Sequence, residues 1–556
     1  MEVVFLALNA RYTHVNLASY YLNNYITQPD ISSIIFEKNI NENVLDIMSD
    51  IFFLKPDVLC ISCYIWNQSH VHALLKDIKK VLPKLIIVCG GPDISYNSQD
   101  WLDLFPSIDI IVQGPGEYAM HYLQLNKFKH DEKILKMDNF PLKDIDIPYH
   151  LDNKSRFKNR YLYYEASRGC PCSCSYCISS IESQQLEYKD FKKIKEEILY
   201  LLQFDPLIIK FVDRTFNANN KLCIQIWDFI SKINTNTKFH FEINPHYITD
   251  EQIEIFCILG KNIQIEIGVQ TLKQETLKLI DRKGSVEDFF DNICELESDL
   301  VHKHMDMIVG LPGESYSDII FTFNKLLSIF PDHLQVGFLK LLPGTKLALE
   351  ANKWGYKYQS EAPYRILSSN TLSFLEILHI ELVEMAIDLI YNSNIMIEFN
   401  MHLITELNDL YSYYRSLGTY MKINNINKSV TDRKKLFQVV KLHFDNYEID
   451  DKKDTFYDLL RYDWFIAQDT HYYPDFLKAE VCDNLKTKIY VSFKNKWQES
   501  NHKLKLPNAV FYAFQSDDNL NDITMDFDGI VKVKDVFYFV KHDTNSEVTK
   551  IEIKDF

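Results

Sequence analysis

The sequence predicts an α/β protein in three parts, and the spacing of apolar residues along the chain is the basis of that prediction. Short apolar runs alternate with amphipathic stretches over residues 1–130, and the same alternation returns over residues 161–361. Strands alternating with helices are typical of parallel βαβ units, so we expect a parallel sheet in each region. Residues 131–160 are polar and interrupted by prolines, which predicts a linker. Over residues 362–556 helical patterns come first and strand-like runs follow.

The first region is expected to form a Rossmann-like domain. Its predicted strands are Val3–Leu8, Ser33–Phe36, Val58–Ser62, Leu85–Cys89 and Ile108–Val112, and helices between them include Leu17–Ile26, Val44–Leu54 and Val71–Val81. Such a sheet binds ligands at the carboxyl ends of its strands. Four of the 15 glycines lie at those ends, Gly90, Gly91, Gly114 and Gly116. Glycine allows backbone to approach a ligand closely, so we expect a ligand at this edge; tight turns are the structural alternative.

The central region is expected to form a partial (β/α)6 barrel. Its predicted strands are Leu162–Tyr164, Leu207–Val212, Phe239–Ile243, Ile263–Gly268, Met305–Val309 and Leu334–Leu339, and helices between them include Phe191–Leu202, Asp250–Leu259 and Val286–Leu296. Barrels of this kind perform chemistry at the carboxyl ends of their strands. Functional residues are therefore expected there.

The last region is expected to be helical and then β. The predicted helices are Leu372–Tyr391, Met401–Leu417 and Arg433–Phe444, and the predicted strands are Lys488–Phe493, Ala509–Phe514, Ile530–Val533, Val536–Val540 and Val548–Ile553. The aromatic-rich stretch 447–476 is expected to be core, with a substrate-facing surface as the alternative.

Charge and hydropathy exclude some classes of function. The 556 residues carry a net charge of −17, which disfavours broad, non-specific binding of nucleic acid. The apolar runs are too short to span a bilayer, and an acidic residue near the start is unlike a secretory signal. We therefore expect a cytoplasmic protein without membrane contact.

Four of the eleven cysteines fall within eight residues, and three of them have the spacing C-x3-C-x2-C: Cys170, Cys174 and Cys177. Three thiolates on one loop can each bind a different iron of a [4Fe–4S] cluster, which leaves one iron open for chemistry. A zinc site would need four ligands, usually arranged as two pairs, and the sequence has no second pair. Cys172 could be a fourth ligand of the iron cluster, but it is too close in sequence to its neighbours to wrap one cluster easily. A disulfide is not expected without an export signal. These three cysteines are the predicted metal ligands and the predicted catalytic centre.

This spacing after the first strand of a partial barrel resembles the radical S-adenosylmethionine (radical SAM) superfamily. The segments 208–216, 265–271, 279–282, 306–314 and 341–345 resemble further motifs of its members. The loops Gly90-Gly91-Pro92 and Gly114-Pro115-Gly116-Glu117 resemble the cobalamin-binding domain that precedes the barrel in one large class. Residues 9–14 and the C-terminal third resemble a subgroup with a DUF4080-type C-terminal domain.

The resemblance implies three cofactors: a [4Fe–4S] cluster, S-adenosylmethionine and cobalamin. It also implies an external one-electron reductant of the flavodoxin or ferredoxin type. The residues expected at S-adenosylmethionine are Asp213, Glu242, Gln270, Arg282 and Gly310. Those expected at cobalamin are Asn9, Tyr12, His14, Gly90, Gly91, Gly114, Gly116 and Glu117.

Several of these roles have structural alternatives. The usual second-strand motif that binds the amino group is absent, and Asp213 or Thr215 occupies the comparable strand end. Asp213 could instead pair with Arg214. Glu266 could belong to an ion pair inside the barrel. His14 could ligate cobalt, but Tyr12 and Leu17 break the D-x-H-x-x-G pattern, which favours a capping or lining role.

The leading hypothesis is a cobalamin-dependent radical SAM methyltransferase that acts on an unreactive carbon of an unknown substrate. A methylthiotransferase with a second cluster on Cys60, Cys63 and Cys89 is one alternative, although the odd spacing of Cys60 and Cys63 would place them on opposite faces of a sheet. A cobalamin-dependent radical rearrangement and a non-catalytic corrinoid or cluster sensor are the others.

Overall fold

The computed structural model describes residues 1–137, 141–182, 186–294, 301–447, 453–467, 474–477, 510–514, 529–533 and 536–541. The chain divides into two compact units, Met1–Ile377 and Leu378–Phe556. The domain limits expected from the sequence stay predictions. Within the described ranges, no helix is long and apolar enough to cross a membrane.

The N-terminal part of the first unit is a six-stranded parallel sheet in the order β2-β1-β3-β4-β5-β6. Its strands are β1 (Glu2–Asn9), β2 (Ser32–Asn39), β3 (Val58–Ser62), β4 (Ile86–Gly90), β5 (Ile110–Gln113) and β6 (Ile134–Lys136). The helices are α1 (Leu17–Asn24), α2 (Val44–Leu54), α3 (Gln68–Val81), α4 (Pro92–Ser95), α5 (Ser98–Leu104) and α6 (Gly116–Leu125). The predicted Rossmann-like α/β fold is confirmed.

Apolar side chains cover both faces of this sheet. In β1, Val4, Leu6 and Leu8 pack with α2, α3 and α5. Val3 and Phe5 of the same strand pack on the other face with α6. Because successive residues of a strand point to opposite faces, this continuous apolar run fills two cores at once.

The segment predicted to be a linker contributes a strand. Its residues Ile134–Lys136 form β6 and pair in parallel with Ile111–Gln113 of β5. A three-residue strand has too little alternation to distinguish it from polar loop by pattern alone. The short helix α7 (Lys154–Phe157) follows before the second sheet begins.

The second sheet of this unit also has six parallel strands, in the order β14-β13-β12-β11-β10-β7. In chain order the strands of the region are β7 (Tyr161–Tyr164), β8 (Ser167–Arg168), β9 (Glu187–Tyr188), β10 (Ile208–Phe211), β11 (Lys238–Ile243), β12 (Ile263–Gln270), β13 (His302–Val309) and β14 (His333–Phe338). Strands β8 and β9 form a separate antiparallel pair. Sequential pairing of six parallel strands confirms the predicted partial barrel.

Helices separate the barrel strands. They are α8 (Ser179–Glu182), α9 (Phe191–Leu202), α10 (Asn220–Ser231), α11 (Asp250–Leu259), α12 (Gln274–Leu279), α13 (Val286–Cys294), α14 (Tyr316–Leu327) and α15 (Lys346–Leu349). The small strands β15 (Lys357–Tyr358) and β16 (Ile366–Ser368) follow as an antiparallel pair.

Both edges of the barrel sheet carry short additions from elsewhere in the unit. At the β7 edge, His14 forms a parallel bridge with Tyr161, and the Tyr161 N–H donates to the Thr13 carbonyl at 2.8 Å. At the β14 edge, Lys340 forms an antiparallel bridge with Arg365. The β7 edge is therefore covered by the loop that follows β1.

The second unit is helical and then β in its described residues, as predicted. Its helices are α16 (Phe374–Ala386), which continues as a π-helical turn Ile387–Tyr391, α17 (Ile397–Glu406), α18 (Leu410–Ile423), α19 (Arg433–Asp445) and α20 (Lys453–Ala467). Strands β17 (Val510–Phe514), β18 (Gly529–Val533) and β19 (Val536–Lys541) form an antiparallel sheet in the order β17-β19-β18. The predicted strands 488–493 and 548–553 lie outside the described residues.

One predicted helix of this unit is wrong. The stretch Met401–Leu417 was expected to be continuous, whereas the chain leaves the helix at Leu407 and starts α18 at Leu410. Asp409 accepts from the Ser412 N–H at 3.1 Å and so caps the new helix. Aspartate favours an N-cap over a helix interior, which explains the break.

Candidate functional site

The cysteine loop follows β7, at the carboxyl ends of the barrel strands. Gly169 opens it with a φ of 106°, a conformation that L side chains rarely adopt. Its middle is fixed by two backbone hydrogen bonds of 2.9 Å, from the Ser175 N–H to the Ile280 carbonyl and from the Leu347 N–H to the Ser175 carbonyl. The loop is therefore held against the segments that follow β12 and β14.

Each of three sulfur atoms meets a polar group from a different strand end. Cys170 Sγ lies 3.4 Å from Thr215 Oγ1, after β10. Asn244 Nδ2, after β11, donates to Cys172 Sγ at 3.5 Å. Arg282 Nη1, beyond β12, lies 3.7 Å from Cys174 Sγ.

The acidity of these thiols differs along the loop. A hydrogen bond with Cys172, supported by the positive charge of Arg282, lowers the pKa of Cys174 to about 7 against the opposing effect of burial. The hydrogen bond with Cys172, together with burial, raises the pKa of Cys170. Iron binds thiolate, so Arg282 favours the ligand form of Cys174.

The donor set of this loop fits a [4Fe–4S] cluster. Across the part of the chain that the structure describes, no three His, Cys, Asp or Glu side chains converge as ligands of one metal ion. A cubane does not require such convergence, because each cysteine binds a different iron. The three thiols of the C-x3-C-x2-C spacing are instead distributed along one anchored loop.

Asp213 supports the start of the cysteine loop. It is 2% exposed, and its carboxylate accepts from the Ala166 N–H at 3.1 Å and from Ser167 Oγ at 2.5 Å. Burial raises its pKa to about 7. Arg214, the alternative partner considered from the sequence, lies 3.6 Å from Glu242. The expected contact of Asp213 with an amino group stays a prediction.

A β-bulge brings Gln270 and Arg282 together near the cysteines. The register of β12 against β13 shifts between Gly268 and Gln270, and Gln270 has a φ of 71°. Arg282 Nη2 donates to the Gly268 carbonyl at 2.5 Å. A Cβ on Gly268 would lie 2.6 Å from Gln270 Nε2 and 3.5 Å from Arg282 Nη2, so both side chains pass over this glycine.

The barrel interior carries ionisable side chains on neighbouring strands. Glu242 and Glu266 are register partners in β11 and β12. His240 Nε2 lies 3.1 Å from Glu266 Oε2, so Glu266 has a partner inside the barrel. Burial lowers the pKa of His240, and the ion-pair alternative for Glu266 stays a prediction. His304 Nε2 lies 3.1 Å from Asp306 Oδ1 in β13. Burial raises the pKa of Glu242 to about 7, and the charge of Glu266 adds to that shift.

Gly310 begins a turn that packs against protein. Its φ is 90°, and a Cβ would fall 1.9 Å from Ile366 Cδ1. Tyr356 donates its hydroxyl to the Gly310 carbonyl at 2.9 Å. These two contacts account for glycine at this position, and the expected approach of its backbone to adenine stays a prediction.

The expected ligand edge of the N-terminal sheet has a topological switch point. The strand order reverses at β1 and β3, and open α/β sheets bind ligands in the crevice at such a point. The loop after β3 presents Tyr64 and Trp66, whose rings stack with centroids 4.1 Å apart, and Trp66 is 45% exposed. Tyr12, after β1, is 78% exposed. Exposed rings at this edge fit a large planar group.

Two glycines of this edge are required by the turns themselves. Gly91 has a φ of 106°, and a Cβ there would lie 2.6 Å from the Cys63 carbonyl oxygen. Gly114 has a φ of 92°, and a Cβ would lie 2.6 Å from the Met137 carbonyl oxygen. Substitution at Gly91 would therefore strain the protein whether or not a ligand is bound. Gly90, with no neighbour closer than 3.5 Å, is the less crowded position.

The loop after β1 has its polar groups directed to the protein. His14 Nδ1 forms a short hydrogen bond with the Tyr163 hydroxyl, and burial and nearby positive charges lower its pKa. Asn9 Nδ2 donates to Glu37 at 3.4 Å. His14 therefore joins this loop to the first barrel strand. Asn16, and not His14, caps the helix that follows, so the capping role is wrong, while the contact of His14 with a cofactor stays a prediction.

Arg168, for which the sequence suggested no role, connects the two sheets. It donates to both carboxylate oxygens of Glu165 at 2.8 Å and to Glu117 Oε1 at 3.0 Å. Glu117 lies in the first turn of α6, directly after Gly116, and its side chain is 6% exposed. The residue expected to contact cobalamin is thus paired with a residue of the cysteine loop. The sequence around Glu117, a glycine-rich turn followed by an acidic residue, does not indicate that Arg168 is its partner.

The N-terminal cysteines do not share a face. Cys60 packs with α6 on one side of the sheet, while Cys63 and Cys89 pack on the other. Burial raises the pKa of Cys60 and of Cys63, so both thiols favour the neutral form. A second cluster on these three cysteines has no supporting geometry.

Three family models match the chain in the order in which these parts occur. Residues 3–123 match the B12 binding domain, residues 164–326 the radical SAM superfamily, and residues 352–527 a protein of unknown function (DUF4080).

Two enzymes are similar to this chain in sequence over about half of its length. The chain is 22% identical over 330 residues to the cobalamin-dependent radical SAM methyltransferase TokK of Streptomyces tokunonensis, an alignment that covers 53% of this chain and 48% of TokK. It is 33% identical over 328 residues to the anaerobic magnesium-protoporphyrin IX monomethyl ester cyclase of Synechocystis sp., covering 52% of this chain and 66% of the cyclase. The chain therefore spans about half of the length of TokK.

Among solved structures, the cobalamin-dependent S-adenosylmethionine radical enzyme OxsB with aqua-cobalamin and S-adenosylmethionine bound has a similar fold. The TM-score is 0.54 at 13% identity, and the match covers 91% of this chain and 82% of that chain.

Proposed function

We propose that this chain, a member of the radical SAM superfamily that carries a B12 binding domain before its radical SAM domain, is a cobalamin-dependent methyltransferase acting on an unactivated carbon. One observation carries the proposal. The cysteine loop at the mouth of the barrel is joined through Arg168 to the ligand edge of the N-terminal sheet. Two cofactor sites held in this way would face a shared space for one substrate.

The residues in and around the cysteine loop would have different roles according to their positions. When bound, the cluster would supply the electron that cleaves S-adenosylmethionine, and cobalamin would carry the methyl group. Cys170, Cys174 and Cys177 would ligate iron. Arg282 places its positive charge beside Cys174 and would favour the thiolate. Asp213 holds the loop through the Ala166 N–H and Ser167.

The contacts to S-adenosylmethionine are part of the proposal. Arg282 and Gln270 are best supported, because the β12 bulge brings them next to the cysteine loop. Glu242 would accept from ribose, and burial raises its pKa to about 7, so that its carboxyl group exchanges a proton near neutral pH. At the corrinoid edge, Tyr12, Tyr64 and Trp66 would contact the macrocycle.

The test uses S-adenosylmethionine with a deuterated methyl group. Reduced enzyme loaded with both cofactors is expected to form deoxyadenosine and S-adenosylhomocysteine, and to place the label on cobalamin before any substrate is known. Extracts of small molecules then supply candidate substrates, and mass spectrometry identifies a product that gains the label. Deoxyadenosine formation without transfer of the label would contradict methyl transfer.

A radical rearrangement or cyclisation is the second candidate, favoured by the 33% identity to the magnesium-protoporphyrin IX monomethyl ester cyclase. It would use the same cluster and corrinoid edge and would release deoxyadenosine without S-adenosylhomocysteine. The same product analysis therefore separates the two candidates. A cytoplasmic location and an electron donor of the flavodoxin or ferredoxin type complete the proposal.

A further inference from the structure

The helical unit contains a cavity of about 590 Å³ that the proposed function does not use. Helices α16, α18 and α19 form its walls. The lining residues are His379, Arg415, Ser416, Thr419, Tyr420, Ile423, His443, Asn446 and Tyr447. A cavity of this size is in the range that holds small organic ligands.

A buried histidine of this cavity lacks a hydrogen-bond partner on one side. His443 is 5% exposed, and its Nε2 lies 3.0 Å from Ser416 Oγ. Its Nδ1 is buried and has no partner among the described residues. Burial lowers the pKa of His443 to about 4, so the ring is neutral at physiological pH. Because Nδ1 has almost no accessible surface, the ring is an uncharged part of the cavity wall and leaves Arg415 as the positive group of the described lining.

Aromatic rings surround this histidine. The centroid of His443 lies 5.3 Å from that of Tyr413, 5.8 Å from that of Tyr420 and 5.6 Å from that of Tyr447. Tyr420 and Tyr447 also line the cavity. Flat rings of this kind favour a ligand that is itself flat.

The described part of the lining is positively charged. Among the lining residues that the structure describes none is acidic, although the chain has a net charge of −17. Arg415 lines the cavity, and no described residue pairs with its guanidinium group. Burial, and after it the nearby charge of Asp409, raises the pKa of Tyr447. A guanidinium group matches the planar geometry of a carboxylate.

We propose that this cavity binds a small planar aromatic carboxylate. The carboxylate pairs with Arg415, and the ring lies against Tyr420 and Tyr447. The site involves neither the cysteine loop nor the corrinoid edge, so it is independent of the proposed methyl transfer.

The test is equilibrium dialysis of the full chain with its cofactors against naphthoate. The neutral amide of the same shape, naphthamide, is the matched probe. Naphthoate is expected to bind at one site, and Arg415→Gln should weaken its binding by about tenfold, because a charged hydrogen bond is lost. Naphthamide should bind about tenfold more weakly and should not respond to Arg415→Gln.

Lys435→Gln is the control for charge, since Lys435 is exposed on α19 and does not line the cavity. Its binding of naphthoate should equal that of the unchanged protein. Equal binding of the acid and the amide, or unchanged binding in Arg415→Gln, would overturn the proposal. So would the absence of saturable naphthoate binding by the folded protein.

Discussion

The two six-stranded parallel sheets of the first unit differ in what they place on their faces. In the N-terminal sheet, β1 is buried at seven successive residues, and β3 is buried at four. In the barrel, β12 and β13 alternate strictly between buried and partly exposed residues. The first sheet has helices on both sides, whereas the second has apolar residues toward its helices and ionisable residues toward its interior.

The contrast shows where each sheet can hold polar chemistry. A sheet buried on both faces can expose polar groups only beyond its strand ends. The half-open barrel also places them along its strands, where His240, Glu266 and His304 lie. Substitutions of the same kind should therefore have different effects in the two sheets.

The largest difference is expected for the cysteines. Cys174→Ala should remove most bound iron and abolish deoxyadenosine formation, and Cys170→Ala and Cys177→Ala should do the same. Cys60→Ala and Cys89→Ala, in the N-terminal sheet, should retain the iron content of the unchanged protein. Iron analysis after anaerobic purification measures this. Loss of about half of the iron in Cys89→Ala would restore the second-cluster hypothesis.

The next largest difference is expected in stability, when one residue of each sheet is replaced by glutamine. Ile87→Gln should destabilise the first unit by about 3 kcal/mol or more, because Ile87 is 0% exposed and the amide would have no partner. Glu266→Gln should change stability by about 1 kcal/mol or less, since an amide oxygen can still accept from His240.

Thermal unfolding followed by circular dichroism compares the two variants. An equal loss of stability in both would mean that the two sheet interiors tolerate polar groups alike, contrary to the burial of their strands.

A smaller effect is expected where the sheets meet. Arg168→Met should cost about 2–3 kcal/mol, because it leaves Glu117 and Glu165 buried without a cation. Glu117→Gln alone should lower the free energy of unfolding by less, and the double variant should lower it by less than the sum of the two single changes. Additive losses in this double-mutant cycle would show that Arg168 and Glu117 act independently.

The smallest effect is a pH dependence inside the barrel. Burial raises the pKa of Glu242 from 4.5 to about 7, so the folded state keeps a proton that the unfolded state releases. Stability should therefore fall as pH rises from about 4.5 to about 7, by on the order of 1 kcal/mol after allowance for Arg214 and solvent.

Glu242→Gln should reduce this dependence by the share of one carboxyl group, because the buried Asp213 has a similarly raised pKa and keeps its own share. Glu254→Gln, on an exposed position of α11, should leave the dependence unchanged. Unfolding temperatures measured between pH 5 and pH 8 on protein without S-adenosylmethionine provide the comparison. A parallel pH profile in Glu242→Gln would contradict the assignment.

Sequence patterns were sufficient for most of the architecture. The continuous apolar run of β1 and the regular alternation of β12 are both clear strand patterns. The predicted ends of these strands therefore lie within two residues of the observed ends. The strand Ile134–Lys136 was missed because three residues carry too little pattern. The break before Leu410 was missed because Asp409 acts through a local hydrogen bond that apolar spacing does not report.

Local motifs also predicted the cysteine loop, whose ligands are close in sequence. The partners of that loop were harder to predict, because they are distant in sequence. Arg168 and Glu117 are 51 residues apart, and Cys174 and Arg282 are 108 apart. A resemblance singled out Arg282, whereas nothing singled out Arg168.

The bridges at the two edges of the barrel sheet have a practical consequence for dissecting the protein. A fragment limited to residues 161–361 would lack Thr13 and His14 at one edge and Arg365 at the other. Exposed strand edges recruit other chains, so such a fragment is expected to aggregate during expression even though its strands are complete. A fragment that begins at Met1 and ends at residue 373, before α16 starts at Phe374, keeps both edges covered, and it is the smaller protein with which cofactor loading can be studied.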